Sequence, residues 1–97
     1  MRFEWDHAKA SRNLAKHKIS FAEAITAFDD PAALITEDSK HSTTEEVREW
    51  LIGESDVGVL VVIFTVRQPG NRYRIISARR AKKKERSRYE EIKRLSI

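Results

Sequence analysis

The chain contains no cysteine. Disulfide stapling and thiolate metal sites are therefore excluded, and the cytoplasm is the expected compartment. No apolar run is long enough to span a membrane, and the opening Met1-Arg2-Phe3-Glu4-Trp5-Asp6 lacks the apolar core of a signal peptide, so no membrane association is expected. The three histidines are scattered and no pair of carboxylates has a ligand spacing, which argues against a metal site. Phosphate-binding loops, dinucleotide fingerprints and Ser-His-Asp patterns are absent too, and no cofactor is expected. Glycine and proline are scarce, three and two residues, and the one place where they adjoin, Pro69-Gly70, is a turn signal. At 97 residues, a single domain over 1–97 with one core is the natural expectation.

What is present centres on one hairpin. Val59 to Val66 is an unbroken apolar or β-branched run, too short for a membrane span and too rich in Val and Ile for a helix. It reads as a central strand. Gln68-Pro69-Gly70-Asn71 fits a type II turn, and Arg72 to Arg80 returns as the partner strand. With Pro69-Gly70 at the tip, the register sets Arg67 opposite Arg72, Thr65 opposite Arg74 and Ile63 opposite Ile76. That face then carries Arg67, Arg72 and Arg74 near the turn and becomes apolar towards Val61 and Ala78. The other face, with Leu60, Val62, Phe64, Val66, Tyr73 and Ile75, reads as core. Arginines facing one another across a sheet repel, which suggests an anionic partner.

Net charge is +4, but its distribution is uneven. Residues 67–97 hold 12 Lys or Arg against 3 Glu, whereas residues 1–66 hold 7 against 12 acids. Such asymmetry fits a polyanion, most simply nucleic acid.

Read in order, Phe3-Glu4-Trp5 is a short strand and Asp6 caps a helix over 7–17, with Ala10, Leu14 and His17 on one side. Ser20-Phe21-Ala22-Glu23 is a capping box with Ile19 as its staple. The second helix presents Phe21, Ala24, Ile25 and Phe28 and closes at Asp29-Asp30-Pro31. Strands follow at 33–36 and 47–52, then the central hairpin, then a helix over 81–95 with Glu85, Tyr89, Ile92 and Leu95 along one side. The order β-α-α-β-β-β-β-α, with helices on one face of a mainly antiparallel sheet, defines an α+β domain. Lys82-Lys83-Lys84 stand in the first turn of the last helix, where the helix dipole disfavours cations. With Arg79 and Arg80 they suggest a phosphate site.

These residues carry a resemblance. Phe3-Glu4-Trp5-Asp6, Lys9, Asn13, Lys16-His17, Ile19-Ser20-Phe21, Glu23-Ala24, Phe28 and Asp30 resemble the start of the BrnT family of bacterial type II toxins. Arg74-Ile75-Ile76-Ser77-Ala78-Arg79-Arg80-Ala81, with Glu85-Arg86 and Tyr89, resembles its end. The loop stretch His41-Ser42-Thr43-Thr44-Glu45-Glu46-Val47-Arg48 is similar to the family's His-Ser-x-x-Glu-Glu-Arg, with the arginine one residue late. The resemblance implies a RelE-like fold, RNA cleavage that arrests growth, and a BrnA-like DNA-binding antitoxin that inhibits the toxin and represses the shared operon with it.

Cofactor-free RNA cleavage needs the 2′-OH as nucleophile, groups to take and give a proton, and cations for the phosphorane. Arg67 with Arg79 or Arg80 are the candidates for the phosphate clamp. Pleat arithmetic sets Arg80 on Arg67's face and the resemblance draws attention to Arg79; a bulge would resolve the conflict. Glu85 and Tyr89, one helical turn apart, are the proton-transfer candidates, against the plainer readings of a helix ion pair and a packing anchor. His41 is a weaker candidate, and His7 and His17 read as surface residues. Arg72, Arg74, Lys82, Lys83, Lys84 and Arg86 would contact RNA. A competing reading keeps the same surface as a non-catalytic module that holds RNA or a ribosomal site. A degenerate toxin kept only as co-repressor would have lost Arg67, Arg79 and Arg80.

Overall fold

A computed structural model describes residues 1–67, 69 and 71–96. The chain runs through β1 (Arg2–Trp5), α1 (His7–His17), α2 (Phe21–Ile25), a 3-10 turn (Thr26–Asp29), β2 (Leu34–Glu37), β3 (Arg48–Ser55), β4 (Gly58–Arg67), β5 (Arg72–Arg80) and α3 (Lys83–Leu95). The strands form a mixed five-stranded sheet in the order β1-β5-β4-β3-β2. β1 pairs with β5 in parallel, and the other pairings are antiparallel. The fold class is α+β. No helix of the described residues is long and apolar enough to cross a membrane.

Local chemistry starts each helix. The Asp6 carboxylate accepts from Ala8 N and Lys9 N at 2.8 and 3.1 Å, and α1 ends where Lys18 enters the left-handed region and returns its N–H to Leu14 O. Ser20 and Glu23 close a reciprocal capping box that starts α2. The chain then tightens into the 3-10 turn, whose Ala27 carbonyl lies against Gly53. A Cβ at Gly53 would meet that oxygen at 3.0 Å, so only glycine lets this turn seat on β3.

Phe21, Ala24 and Ala27 from this side pack on Leu51, Leu60, Val62, Phe64, Ile75 and Ala78 of the sheet. Phe3, Phe28, Phe64 and Tyr73 extend the core as an aromatic group with ring centroids 4.9–5.9 Å apart.

Several expectations are corrected. Leu14 is exposed, and Asn13 is the buried residue of α1. β1 stops pairing at Trp5–Ile75, and beyond it the Asn13 amide serves as the missing strand: it accepts from Ala78 N at 3.0 Å and donates to Ala78 O at 2.8 Å and to Ile19 O at 3.0 Å. Leu95 is exposed. Nor do all helices share one face. Ala78 enters the core beside α2, Arg79 leaves on the other side, and it is Arg79 that holds Glu85 of α3. α3 thus lies against β3 from the side opposite α1 and α2. The expected turn at Gln68-Pro69-Gly70-Asn71 falls partly on Gln68 and Gly70, which lie outside the described residues.

The correction that matters most is in β5. Arg67 faces Arg72 and Thr65 faces Arg74 as expected, but Ile63 faces Ser77, not Ile76, because a bulge shifts the register between Ile63 and Phe64. Ile76 is the extra residue. Every side chain after it changes face: Ala78 becomes core, opposite Val62, and Arg79 comes to lie opposite Val61.

Candidate functional site

The bulge decides which arginines assemble. On β4 and β5 it places Arg67, Arg72, Arg74, Thr65, Ile63, Ser77 and Arg79 on one face, and the β3 register adds Arg48 opposite Thr65 and Trp50 opposite Ile63. Arg80 is the exception. It pairs with Leu60, faces away from Arg67, and donates to Val57 O at 2.5 Å. The expectation from the pleat that Arg80 would join Arg67 is corrected by one inserted residue.

Each guanidinium of this face lies beside a carboxylate. Glu4 takes Arg72 at 3.3 Å and Arg74 at 3.0 Å. Glu46 takes Arg48 Nε at 3.1 Å and lies 3.6 Å from Arg67. Glu85 is bound in bidentate fashion by Arg79, at 2.8 and 2.9 Å, and also accepts from Lys82 N at 2.7 Å. The Arg79 guanidinium, with the Lys82 N–H second among the favourable contacts, holds the Glu85 carboxyl down to about 2 against its desolvation. A group held so firmly as an anion is a poor proton acceptor. Arg79 also lies over the Trp50 ring, 5.9 Å from its centroid.

The loop between β2 and β3 completes the site. Asp38 N donates to Arg48 O and Thr43 N to Glu46 O, both at 2.8 Å, while Ser42 Oγ accepts from Arg48 N at 2.9 Å. The backbone of Arg48 is thereby tied to the loop. An open groove of about 740 Å³ results, lined by Thr43, Glu46, Val47, Thr65, Arg67 and Arg72. In the same loop His41 Nδ1 lies 2.9 Å from Asp38 Oδ2; Asp38 is nearly buried and His41 is largely exposed. The Asp38 carboxyl is held below its ordinary value, first by the Trp50 indole and then by His41. Among the described residues the buried Trp50 Nε1 has no partner in hydrogen-bond geometry, so it acts on Asp38 as a nearby dipole and not as a formed bond.

Tyr89 is buried at 1 % exposure and donates its hydroxyl to Asp30. Burial first, and then the Asp30 bond, raise its pKa well above the ordinary tyrosine value. Asp30 also accepts from Ala32 N at 2.9 Å and Glu54 N at 2.8 Å, and these bonds with that of Tyr89 outweigh its desolvation and keep it ionised. Tyr89 therefore ties α3, through Asp30, to the end of the 3-10 turn and to β3, and its hydroxyl is taken up by that bond. Lys82, Lys83, Lys84 and Arg86 are exposed at the start of α3. Sequence reading missed Arg48, Glu46, Asp38 and Trp50 as parts of one site. Alternation backwards from Trp50 and Ile52 would have placed Arg48 on the arginine face.

Among the described residues, no group of three or more His, Asp or Glu side chains is arranged to hold a metal ion. Residues 5–85 match the model of the family described as the ribonuclease toxin, BrnT, of type II toxin-antitoxin systems. The matched stretch includes Arg48, Arg67, Arg79 and Glu85 and stops short of Tyr89. No curated protein matches the chain.

Proposed function

Given that the chain belongs to the BrnT family of ribonuclease toxins of type II toxin-antitoxin systems, we propose that it is a metal-independent endoribonuclease of RelE-like type, acting in the cytoplasm, whose active face is the arginine side of the sheet. The observation that carries this reading is the bulge at Ile76, which puts Arg79 on the face of Arg67, Arg72 and Arg74. Guanidinium groups bind phosphate oxygens in bidentate fashion and stay charged, which suits them to a phosphorane.

In the reaction the 2′-oxygen forms a bond to the adjacent phosphorus and the bond to the 5′-oxygen breaks. Arg67 and Arg79 stabilise the charge on the non-bridging oxygens, which grows in the transition state. Glu46, in the groove beside Arg67, accepts the 2′-OH proton. His41, oriented through Nδ1 by Asp38, delivers a proton from Nε2 to the leaving 5′-oxygen. Glu85 holds Arg79 in place, and Tyr89 anchors α3. Lys82, Lys83, Lys84 and Arg86 lie beyond the clamp and add attraction for the backbone. A BrnA-like DNA-binding antitoxin would inhibit by covering the arginine face with acidic groups.

The test is end-labelled RNA incubated with the purified protein in excess EDTA, with and without ribosomes. Expected are products ending in a 2′,3′-cyclic phosphate and a 5′-OH, and no cleavage of DNA of the same sequence, which lacks the nucleophile. Cleavage that vanishes in EDTA and returns with magnesium would overturn the mechanism. Binding without any cleavage would favour a non-catalytic RNA or ribosome module.

A further inference from the structure

A second cationic surface lies outside the arginine face. Between His7 and Ala22 the sequence has no carboxylate, and Lys9, Arg12 and Lys16 follow one another at spacings of three and four, which sets them on one side of α1. All three are exposed, and among the described residues none of them forms a salt bridge. A solvated helix normally intersperses charges of both signs, so an unrelieved stripe of cations is a local conflict that an anion would relieve.

Three features make this stripe a built surface. First, it borders a groove of about 370 Å³ lined on the β5 side by Ile76, the bulge residue, and Ser77, and by His17 as well. Second, α1 is fixed there by the buried Asn13 amide on the Ala78 backbone, so the cations are held in register with β5. Third, it borders the arginine face: Ser77, which lines the groove, lies opposite Ile63 on the face that carries Arg74 and Arg79. The same inserted residue that turns Arg79 towards Arg67 therefore also forms the wall of a groove leading away from it.

We propose that the groove between α1 and the β5 bulge, with Lys9, Arg12 and Lys16, is a second RNA subsite that holds the phosphodiester backbone of the single strand beside the cleaved bond. The occupant is a flexible polyanion, because Lys9, Arg12 and Lys16 and the Ser77 hydroxyl line the groove and no carboxylate is among its lining residues. Phosphate contacts of this kind position the strand without reading its sequence. Unlike the sheet arginines, these cations are in no salt bridge among the described residues, so they act on the ground-state complex. This inference rests on the arginine face being the RNA-cleaving site.

The test uses the full chain and two variants, Arg12→Gln alone and the triple Lys9→Gln, Arg12→Gln, Lys16→Gln, with a fully 2′-O-methylated single-stranded RNA that cannot be cut. Salt dependence of its binding is measured beside single-turnover cleavage of the unmodified strand at saturation. Each lost phosphate contact lowers the log–log salt slope by about 0.7, so the single variant should lose about 0.7 and the triple about 2. The saturated cleavage rate and the melting temperature should stay at the unsubstituted values. Unchanged slopes in both variants, with cleavage intact, would overturn the subsite and leave the active face standing. Unchanged RNA binding together with lost antitoxin binding would assign the groove to the protein partner and overturn it equally. A protein that neither binds nor cuts RNA would remove the arginine-face reading, and this one with it.

Discussion

On the sheet, five arginines share three carboxylates; along α1, three cations form no salt bridge among the described residues. The contrast separates two tasks. A guanidinium already paired with Glu46 or Glu85 has its orientation fixed and gains little from a phosphate monoanion, since one anion replaces another. It gains more as the phosphorane develops extra charge, which is the condition for raising a rate and not merely an affinity. An unpaired lysine or arginine on a helix attracts any backbone phosphate and does so before the reaction begins. The sheet should therefore govern the rate of the bound complex, and the helix should govern how tightly the strand is held.

The comparison can be broken first at the proton-transfer groups. Glu46→Gln removes the proposed acceptor while freeing Arg48 and Arg67 from their common partner. The cleavage rate under saturating RNA should fall by about 10²-fold or more, while binding of a non-cleavable strand tightens. His41→Gln should lose rate on the same scale with binding unchanged. A Glu46→Gln protein that weakens binding and rate in proportion would end the division of labour.

A smaller effect concerns the ion pair that holds Arg79. The folded-state pKa of Glu85 is depressed to about 2, so its contribution to stability is present in full above the ordinary glutamate range and is lost as pH falls towards about 2. Glu85→Gln should destabilise the protein near neutrality by roughly 1–3 kcal/mol, and the difference from the unsubstituted chain should shrink steadily as the pH of the unfolding experiment is lowered. A gap that widens towards acid would show that the pair is not bound as described.

Smaller again is the Tyr89 hydroxyl. Tyr89→Phe keeps the packing ring and deletes one bond to Asp30, which retains its two backbone donors. A loss of about 1–2 kcal/mol in stability, with the saturated cleavage rate unchanged, is expected. A large rate loss at an unchanged melting temperature would give Tyr89 a chemical role and move part of the reaction onto α3.

Much of this was legible before the fold. Asp6 and Ser20-Glu23 named the helix starts, Val59 to Val66 named the central strand, and the hairpin register was right from Arg67–Arg72 to Thr65–Arg74. It failed at Ile63, and the signal was present: Ile75 and Ile76 are adjacent apolar residues, and Ser77 suits solvent where Ala78 suits the core. Only an extra residue in β5 lets Ile75 and Ala78 share a face. The α1 stripe was hidden by averaging, since Lys9, Arg12 and Lys16 vanish into the acid-rich total of residues 1–66. Burial of Asn13 was not legible at all, because its partner, the edge of β5 beyond Trp5, exists only once the sheet has formed. The site around Asp38, His41 and Trp50 likewise depends on how a polar loop folds back on β3, which no periodicity records.

The most direct test of the account compares two neighbouring residues. Arg79→Ala and Arg80→Ala remove the same group one position apart, and the bulge assigns only Arg79 to the face of Arg67. Single-turnover cleavage under saturating RNA should slow by about 10²-fold in Arg79→Ala, by analogy with loss of one transition-state donor, and by no more than a few-fold in Arg80→Ala. Equal losses, or a larger loss in Arg80→Ala, would contradict the bulged register as the source of the active face.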